Sequence, residues 1–310
     1  MILLTGGLGF IGSHVTRALV ELGEQCVVVQ RRATPLPAEF GDQVVLEHVD
    51  VADRTAFLEI GRRHQITSIV NMVGVFGFST LDPIADARLT MENLFNVLEA
   101  AREWEVPRVG TASTIGVYFG VTEHSPMRED MPLPMTSGHG IPAYKKIAEL
   151  LTDHIDTMTD VEILNYRISG TWGPGGRPAS PFMAAPGLVH AAVNGTTPDL
   201  AEPAYADDGL DMVYAKDCGR AIALLQVASR LKHRTYNVAS GRATTNGEVL
   251  AAIKKVVPDA RIELPAGSAS NGANIYLDIS RLQDTGYQPA YDTDRAVADY
   301  IDWLRAGNPR

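Results

Sequence analysis

The chain has 310 residues, of which 45% are hydrophobic and 21% are charged, and its formal net charge at pH 7 is -10. This length is enough for a large buried core in one or two domains, and the acidic balance without a basic stripe excludes an ordinary nucleic-acid-binding surface. No run approaches the roughly 20 apolar residues that a membrane span needs, so we also expect no membrane segment.

Short apolar runs alternate with longer amphipathic runs through the first half of the chain. The alternation predicts parallel βαβ units with right-handed crossovers, and the runs rich in Val, Ile and Leu predict strands covered by helices on both faces. The predicted strands are MILLTGG, QCVVVQRR, QVVLEHVDV, ITSIVNMVG, PRVGTASTIGVYFG and VEILNYRIS. The predicted helices are FIGSHVTRALVELG, ADRTAFLEIGRRH, LTMENLFNVLEAAREWEV and PAYKKIAELLTDHIDTM. The sequence therefore predicts an α/β protein with a doubly wound parallel sheet of the Rossmann type.

The character of the sequence changes near residue 168. Residues 170–209 are rich in Gly, Pro and Ala and show little periodicity. This segment is too long for a passive connection, so we expect it to cover a substrate. Regular structure returns with DCGRAIALLQVAS and TYNVAS, and NGEVLAAIKKVV and DTDRAVADYIDWLRAG predict a helical tail.

The two cysteines, Cys26 and Cys218, each lie within an apolar segment. They fit buried thiols of a reducing compartment better than a disulfide pair. The apolar run at the N-terminus is too short for a signal peptide and is broken by glycines. We therefore expect a cytoplasmic protein, and we predict no metal site.

The stretch TGGLGFIGSH places Gly6, Gly9 and Gly12 between the first predicted strand and the first predicted helix. Glycines permit a tight turn and the close approach of a pyrophosphate to backbone N–H groups, and the helix N-terminus adds partial positive charge. Phe10 and Ile11 open that helix. These five residues are the predicted binding site for the diphosphate of a dinucleotide.

The end of the second strand indicates which dinucleotide is bound. An acidic residue there would bind the adenine ribose and repel a 2′-phosphate, but the sequence has Gln30 followed by Arg31 and Arg32. Two guanidinium groups suit a phosphate, which predicts NADPH as the cofactor, with NADH as the alternative. Asp50 and Val51, at the end of the third strand, are predicted to contact the adenine.

Over essentially its whole length the sequence resembles the extended short-chain dehydrogenases/reductases. The resemblance rests on TGGLGFIG, NVLEAA, ASTIGVY, KKIAEL, YRISGTWGPG, DCGRAIAL, YNVASG and DISRLQDTGYQP. It implies an NADP(H)-binding Rossmann domain, here residues 1–168 and 213–240. It also implies a smaller C-terminal substrate-binding domain with a lid, here residues 169–212 and 241–310. Members of this family are NAD(P)-dependent reductases, epimerases and dehydratases, so the resemblance implies an enzyme.

The resemblance further implies a catalytic Ser or Thr, a Tyr and a Lys. The hydroxyl orients the carbonyl of the substrate, and the Tyr moves the proton. The Lys lowers the pKa of the Tyr and holds the nicotinamide ribose. Thr114 matches the Ser/Thr position and is the predicted catalytic hydroxyl.

The lysine has two candidate registers. An acid four residues after the Lys is frequent in the family, so Glu149 selects Lys145, and Ile141 then stands at the Tyr position. Choosing Lys146 instead places Pro142 there. We take Lys145 as the predicted catalytic and ribose-binding lysine.

Neither register supplies a phenol. Tyr144 neighbours both lysines, and because adjacent helical residues point about 100° apart, we predict that it packs in the core instead. The candidate proton sources are His139, Tyr118, water, and an acidic hydroxyl of the substrate beside the carbonyl. The remaining alternative is a protein that binds a dinucleotide without turnover.

Two positions argue against a nucleotide sugar as the substrate. Many family members that act on nucleotide sugars share an Asn after the sixth strand and an Arg that opens the segment matched here by LDMVYAKD, and both bind a diphosphate. The matching positions here are Gly170 and Leu210, so the charge that would offset desolvation of a diphosphate is missing. We predict an apolar wall for a flat ligand, made by Trp172, Pro181, Phe182, Met183 and Pro186.

In lacking the Tyr, the sequence looks like the atypical ketoreductases of angucyclinone biosynthesis within this family. That resemblance implies NAD(P)H-dependent reduction of a ring ketone on an aromatic polyketide, with the proton coming from the substrate or from water. The predicted partner is therefore a small aromatic molecule. The alternatives are a nucleotide-sugar epimerase, dehydratase or reductase, and a non-catalytic dinucleotide-sensing protein.

Overall fold

The computed structural model describes residues 1–74, 82–122, 126–200, 203–269 and 274–310. The strands in these ranges are β1 (Ile2–Thr5), β2 (Cys26–Gln30), β3 (Val44–His48), β4 (Ser68–Asn71), β5 (Arg108–Thr114), β6 (Glu162–Ile168), β7 (Gly170–Trp172), β8 (Gly209–Tyr214), β9 (Thr235–Val238) and β10 (Ala243–Thr245). The α-helices are α1 (Phe10–Glu21), α2 (Arg54–Leu58), α3 (Ile60–Arg63), α4 (Pro83–Glu103), α5 (Gly140–Met158), α6 (Ala185–Asn194), α7 (Ala215–Val227), α8 (Asn246–Val256), α9 (Ser280–Gln283) and α10 (Thr293–Arg305).

The chain forms two compact units. The first contains Met1–Thr122, Glu129–Ile168 and Gly219–Asn237, and the second contains Glu123–Arg128, Ser169–Cys218 and Val238–Arg310. Compared with the boundaries expected from the sequence, the second unit also includes residues 123–128, 213–218 and 238–240. One reason is that β8 runs on to Tyr214 and pairs with β7 and β10 of the same unit.

A seven-stranded sheet organises the first unit. Its strand order is β3-β2-β1-β4-β5-β6-β9, and the pairings from β3 across to β6 are parallel. The chain winds outward in both directions from β1 and β4, so the switch point of the topology lies between these two strands. The predicted doubly wound α/β fold of the Rossmann type is confirmed.

The strands of this sheet are apolar because helices cover them. Every residue of β1 and of β4 is buried. On one face Leu3, Val27 and Ile69 pack in a cluster with Val97 and Ala100 of α4. Burying side chains of this size stabilises the fold by roughly 1.5–3 kcal/mol each.

One predicted helix of the first unit is broken in the structure. The segment ADRTAFLEIGRRH forms the two short helices α2 and α3 instead of one. The indole of Trp104 donates a hydrogen bond to the Leu58 carbonyl (3.3 Å), and the Arg62 N–H bonds the Glu59 carbonyl instead. The helical hydrogen-bond ladder is therefore interrupted by a side chain from α4's C-terminal end, which periodicity cannot reveal.

The second unit is built on a small sheet with the order β10-β8-β7. Strand β8 pairs antiparallel with β10 and parallel with β7. The core of this unit is aromatic at its centre, where the ring of Trp172 lies 5.6 Å from that of Tyr214 and 6.4 Å from that of Tyr300. The predicted helical tail corresponds to α8 and α10, which contribute Val249, Ile253 and other residues to this core.

Across the described ranges, no helix has both the length and the apolar character that crossing a bilayer requires.

Gly110, in the middle of β5, provides a test of packing in the first unit. A Cβ at this position would overlap the Tyr166 hydroxyl and lie 2.5 Å from Gln226 Oε1. Gly110→Ala should therefore lower the free energy of unfolding by roughly 1–3 kcal/mol, measured by urea denaturation.

Gly138→Ala is the matched control, because a Cβ there would meet open space. We expect a change within about 0.5 kcal/mol for this control. Equal losses in the two variants would contradict the packing argument.

Candidate functional site

The turn between β1 and α1 has the shape of a diphosphate cradle. Gly6 has a φ of 69°, which favours glycine, and Gly9 caps α1 without any side-chain hydrogen bond. A Cβ at Gly12 would overlap the carbonyl oxygen of Gly6. The glycines therefore leave the turn before Phe10 and Ile11, the first residues of α1, free of side chains. Backbone N–H groups there stay accessible to an anion. These residues fit the diphosphate of a dinucleotide.

The ends of β2 and β3 bring Arg31 and Asp50 together. Arg31 Nη1 lies 3.6 Å from Asp50 Oδ2, and the two side chains are 63% and 41% exposed. Asp50 Oδ1 also accepts a hydrogen bond from the Ala52 N–H (3.1 Å). Such an exposed pair contributes little to stability. Arg31 and the neighbouring Arg32 are exposed, and their contact with a 2′-phosphate stays a prediction.

Val51, which follows Asp50, is a core residue of the first unit. Its carbonyl accepts a hydrogen bond from Asn96 Nδ2 (2.8 Å). Contacts of Asp50 and Val51 with an adenine therefore remain predictions, and for Val51 they would involve the backbone.

Thr114 lies at the end of β5, at the carboxyl edge of the sheet. Its Oγ1 accepts a hydrogen bond from the Gly116 N–H (3.1 Å) and caps the 3₁₀ turn Ile115–Tyr118. This bond uses a lone pair and leaves the O–H able to donate to a carbonyl. A Cβ at Gly116 would lie 3.0 Å from Pro142 Cγ, so the glycine lets the first turn of α5 approach the end of β5.

The two lysines of α5 have different environments. Lys146 Nζ donates to the carbonyls of Pro134 (2.6 Å) and Thr136 (2.7 Å). Lys145 Nζ lies 3.9 Å from the position that a Cβ on Gly74 would occupy, just beyond the end of β4. Of the two registers, the geometry therefore favours Lys145 as the cofactor-side lysine, at the switch point of the sheet.

Two opposing effects determine the charge of the Lys145 ammonium. Burial lowers the pKa of its ammonium to about 8, and the carboxylate of Glu149 acts in the opposite direction. The group is thus largely cationic at neutral pH and neutral in mild alkali.

Position 141, one turn before Lys145, is an isoleucine. Tyr144 is half-buried and not a core residue as expected: its hydroxyl donates to the Pro83 carbonyl (2.9 Å). The reason is that its ring lies over Gly140, where a Cβ would be 3.2 Å away, and the side chain bridges to the start of α4. His139 is the half-buried residue before α5, and its side chain makes no cap hydrogen bond.

Tyr118, the other phenol considered as a proton donor, is buried at 2% exposure. Its hydroxyl donates to Asn237 Oδ1 (2.8 Å) and accepts from Arg167 Nη1 (2.8 Å). Burial raises the pKa of this phenol to about 12. Both hydrogen-bonding roles of the hydroxyl are therefore used inside the protein, and Tyr118 is a poor proton donor to a ligand.

Sequence reasoning missed a buried ion pair behind these residues. Arg167 Nη2 lies 2.7 Å from Glu149 Oε2, and both side chains are 6% exposed. Ser113 donates to the same carboxylate, and Arg167 also donates to the Glu129 carbonyl (3.2 Å). The signal was present, because an arginine inside the apolar run VEILNYRIS requires a buried partner.

The second unit contains a cavity of about 430 Å³. Of the residues predicted to form an apolar wall, Pro181, Phe182 and Met183 line it. Trp172 and Pro186 do not: both are buried, and Trp172 belongs to the aromatic core of the unit. The lining residues are Ser180, Pro181, Phe182, Met183, Ala184, Leu200, Pro203, Ala204, Asp208, Gly209, Leu210, Asn246 and Ala269.

Gly170 and Leu210 help to shape this part of the second unit. A Cβ at Gly170 would lie 2.9 Å from Met183 Cε and 3.1 Å from Leu210 Cδ1. The space of a side chain at position 170 is thus taken by two residues that line the cavity. Among the described lining residues there is no Lys, Arg or His, and Asp208 is the ionisable one.

A comparison with protein families matches residues 2–239 to the NAD dependent epimerase/dehydratase family. The chain belongs to this family. The extended short-chain dehydrogenase/reductase resemblance is therefore confirmed at the level of the family, and the match covers most of the chain.

Two relatives of this chain carry the name of an epimerase. A putative UDP-glucose 4-epimerase of Methanocaldococcus jannaschii is 22% identical, with 99% of each chain covered. The UDP-glucose 4-epimerase of Bacillus subtilis is 26% identical, covering 82% of this chain and 81% of that protein.

Two solved structures share the fold of this chain. UDP-glucose 4-epimerase of Thermotoga maritima, crystallised with UDP-glucose, has a TM-score of 0.84 at 19% identity, with 99% of each chain covered. The Thermus thermophilus UDP-glucose 4-epimerase in complex with NAD has a TM-score of 0.80 at 24% identity, with 98% of each chain covered. None of these four relatives is named as a ketoreductase or a polyketide enzyme, and none of these names mentions NADPH.

The charge balance of Lys145 predicts a pH-dependent cofactor affinity. Affinity for NADPH should fall as the pH rises through about 8, because the ammonium loses the charge that attracts an anionic dinucleotide. Lys145→Met should weaken binding by about tenfold to a hundredfold at pH 7 and flatten the profile. Fluorescence titration with NADPH between pH 7 and 9.5 measures both effects.

Lys146→Met is the control for this experiment, since Lys146 is held by the carbonyls of Pro134 and Thr136. It should keep the pH profile of the unmodified protein. An unchanged slope in Lys145→Met would show that another group controls the affinity.

Proposed function

We propose that this chain is an NADPH-dependent ketoreductase, with NADH as the alternative cofactor, that reduces a ring carbonyl of an aromatic polyketide of the angucyclinone type. The observation that carries the proposal is the isoleucine at position 141, one turn before Lys145. An isoleucine at this position cannot take a proton from an alcohol and return it, as a phenol could.

This absence affects oxidation and reduction differently. An epimerase must first remove the proton of a sugar hydroxyl, a very weak acid, and so requires a base. A ketone being reduced only requires an acid, and a phenol of the substrate beside the carbonyl is already one. A site without a tyrosine is therefore better suited to reduction of a hydroxylated aromatic ketone.

The residues of the chain have the following proposed roles. A nicotinamide held by these residues would supply the hydride. The glycine turn at Gly6 holds the diphosphate, and the cation of Lys145 holds the ribose. The Thr114 O–H donates to the carbonyl oxygen of the substrate and orients it. When the carbonyl carbon accepts the hydride, the carbonyl oxygen takes a proton from the neighbouring phenol of the substrate or from water. A phenolate formed in this way is reprotonated by water.

The lining and the volume of the cavity in the second unit suit an aromatic ligand. Phe182, Met183 and Leu210 offer it an apolar surface, and its volume of about 430 Å³ lies in the usual range for small-molecule sites. A nucleoside diphosphate would enter without any cation among the described lining residues, at a high desolvation cost.

A second candidate is a nucleotide-sugar epimerase. It is favoured by the family match and by the names of the relatives. This function requires a proton-transfer group other than the missing tyrosine, and His139, directly before α5, is the candidate for that role.

The experiment that tests the proposal compares two ketones. NADPH oxidation is followed with an ortho-hydroxy aromatic ketone, such as a hydroxylated tetralone, and with its O-methylated twin. We expect at least a tenfold faster reaction for the hydroxy ketone, within the range that general acid catalysis contributes.

Equal rates with the two ketones would show that the substrate is not the proton source, so that water would be the proton donor. Interconversion of UDP-glucose and UDP-galactose, with no reduction of either ketone, would replace the proposal by the epimerase. Tight NADPH binding with neither reaction would indicate a dinucleotide sensor.

The proposed preference for NADPH depends on the exposed arginines after β2. Replacing both, as Arg31→Ser/Arg32→Ser, should weaken NADPH binding by roughly tenfold to a hundredfold and leave NADH binding almost unchanged. Arg62→Ser and Arg102→Ser together make the same change in net charge at exposed positions and serve as the control. Parallel losses for both cofactors would contradict a contact with the 2′-phosphate.

A further inference from the structure

The carboxylate of Glu149 is held in one place by a guanidinium and a hydroxyl. Arg167 Nη2 donates to Oε2 (2.7 Å), and Arg167 Nε lies 3.1 Å from both carboxylate oxygens. The Ser113 hydroxyl donates to Oε1. Arg167 is itself anchored, since its Nη1 donates to the Tyr118 hydroxyl (2.8 Å) and to the Glu129 carbonyl (3.2 Å). Both charges of the ion pair are therefore fixed inside the first unit.

Lys145 stands one helical turn before this carboxylate on α5. Residues four apart on a helix share a face, so the ammonium and the carboxylate are neighbours. Burial lowers the pKa of the Lys145 ammonium to about 8, and the charge of Glu149 acts against this effect. The guanidinium of Arg167, which lies against the same carboxylate, carries the opposite charge and repels the ammonium.

Other ionisable groups lie on α5 and on the elements that pack against it, which are α4, β5, β6 and the 3₁₀ turn Ile115–Tyr118. Those that are buried, or that belong to α5 within two turns of Lys145, are Asp86, Tyr118, Lys146, Asp153, Tyr166 and Arg167. Burial raises the pKa of both phenols, that of Tyr118 to about 12, so neither is charged at neutral pH. Among these neighbours of α5, Glu149 is the group whose charge raises the pKa of Lys145.

We propose that Glu149 and Arg167 are positioning residues for the cofactor site: from inside the protein they determine how much positive charge Lys145 presents to a dinucleotide. Glu149 favours the ammonium, and Arg167 opposes it. This inference rests on the proposed role of Lys145 in holding the ribose. It does not depend on which carbonyl compound the protein reduces.

The two partners of the ion pair give opposite predictions. Glu149→Gln removes the negative charge and leaves the Arg167 cation uncompensated, so Lys145 should lose its proton at a pH about one unit lower. Arg167→Met removes the cation and leaves the carboxylate, so Lys145 should lose its proton at a pH about one unit higher. Both variants break the same ion pair, and structural damage alone would move both in the same direction.

The measurement is a fluorescence titration of the full chain with NADPH between pH 6 and 9.5. The midpoint of the fall in affinity is expected near pH 8 in the unmodified protein, where Lys145 loses its charge. The phosphates of NADPH contribute equally in every variant, so differences between midpoints report on the protein. Arg167→Lys keeps the cation and should keep the midpoint of the unmodified protein. Midpoints displaced in the same direction by Glu149→Gln and Arg167→Met, or displaced by neither, would overturn the inference.

Glu162→Gln is the matched control. Glu162 also belongs to β6 and forms ion pairs with Arg108 and with Arg234 (2.9 Å). It lies five residues before Arg167, which is roughly 16 Å along a strand and beyond the distance at which salt screens exposed charges. The variant changes the net charge as Glu149→Gln does and should leave the midpoint unchanged. A displacement as large as that of Glu149→Gln would indicate a general charge effect and overturn the inference.

A further variant keeps the inference testable if the single variants do not fold, because each leaves a buried charge unpaired. Glu149→Gln/Arg167→Met removes both charges. Since Glu149 is the charge that raises the pKa of Lys145, the midpoint of this double variant should lie below that of the unmodified protein, and an unchanged midpoint would overturn the inference.

A constant affinity between pH 6 and 9.5 in the unmodified protein would overturn it as well. Inactivity towards both ketones would leave the midpoints as they are, so this inference and the proposed reaction fail separately.

Discussion

The buried ion pair between Arg167 and Glu149 is the interaction on which the first unit's candidate site depends. It joins β6 to α5, and Ser113 of β5 donates to the same carboxylate. Removing one partner of such a pair leaves a buried charge without compensation, at a cost of roughly 3–5 kcal/mol. Thr114 follows Ser113 directly and Lys145 lies one helical turn before Glu149, so the pair fixes the residues that surround the end of the sheet.

The fold could be predicted from the sequence because its signals are local. The buried strands are continuous apolar runs, the helices between them are amphipathic, and the glycine turn stands where a strand meets a helix. The break between α2 and α3 could not be predicted, because it depends on the indole of Trp104, which is distant in sequence.

Only part of the candidate site could be predicted from the sequence. Lys145 and Lys146 are adjacent, and only the acid at Glu149, four residues after Lys145, distinguished them in the sequence. The structure adds that the carbonyls of Pro134 and Thr136 hold Lys146. The sequence placed Trp172 in a ligand wall, whereas Tyr214 and Tyr300 enclose it in the core. Aromatic residues near a glycine-rich segment fit both interpretations until their partners are known.

Family and site give different information about this chain. Membership of the family accounts for the sheet, the glycine turn and the cofactor class, since these depend on backbone geometry that distant relatives share. The isoleucine at position 141 and the lining around Leu210, which includes no cation among the described residues, are features of individual side chains. Function therefore has to be argued from these side chains rather than from the scaffold.

The crowding at Gly170 also has a consequence for how this protein can change over time. A new side chain there can enter only if Met183 withdraws and Leu210 shifts, since both already fill the volume beside it. Exchanges at these three positions should not be additive, and the order in which they occur matters. The terminal methyl of Met183 can rotate away, whereas the backbone carbonyl of Asp211, 3.2 Å from the new Cβ, cannot, so the backbone limits which residues position 170 can acquire.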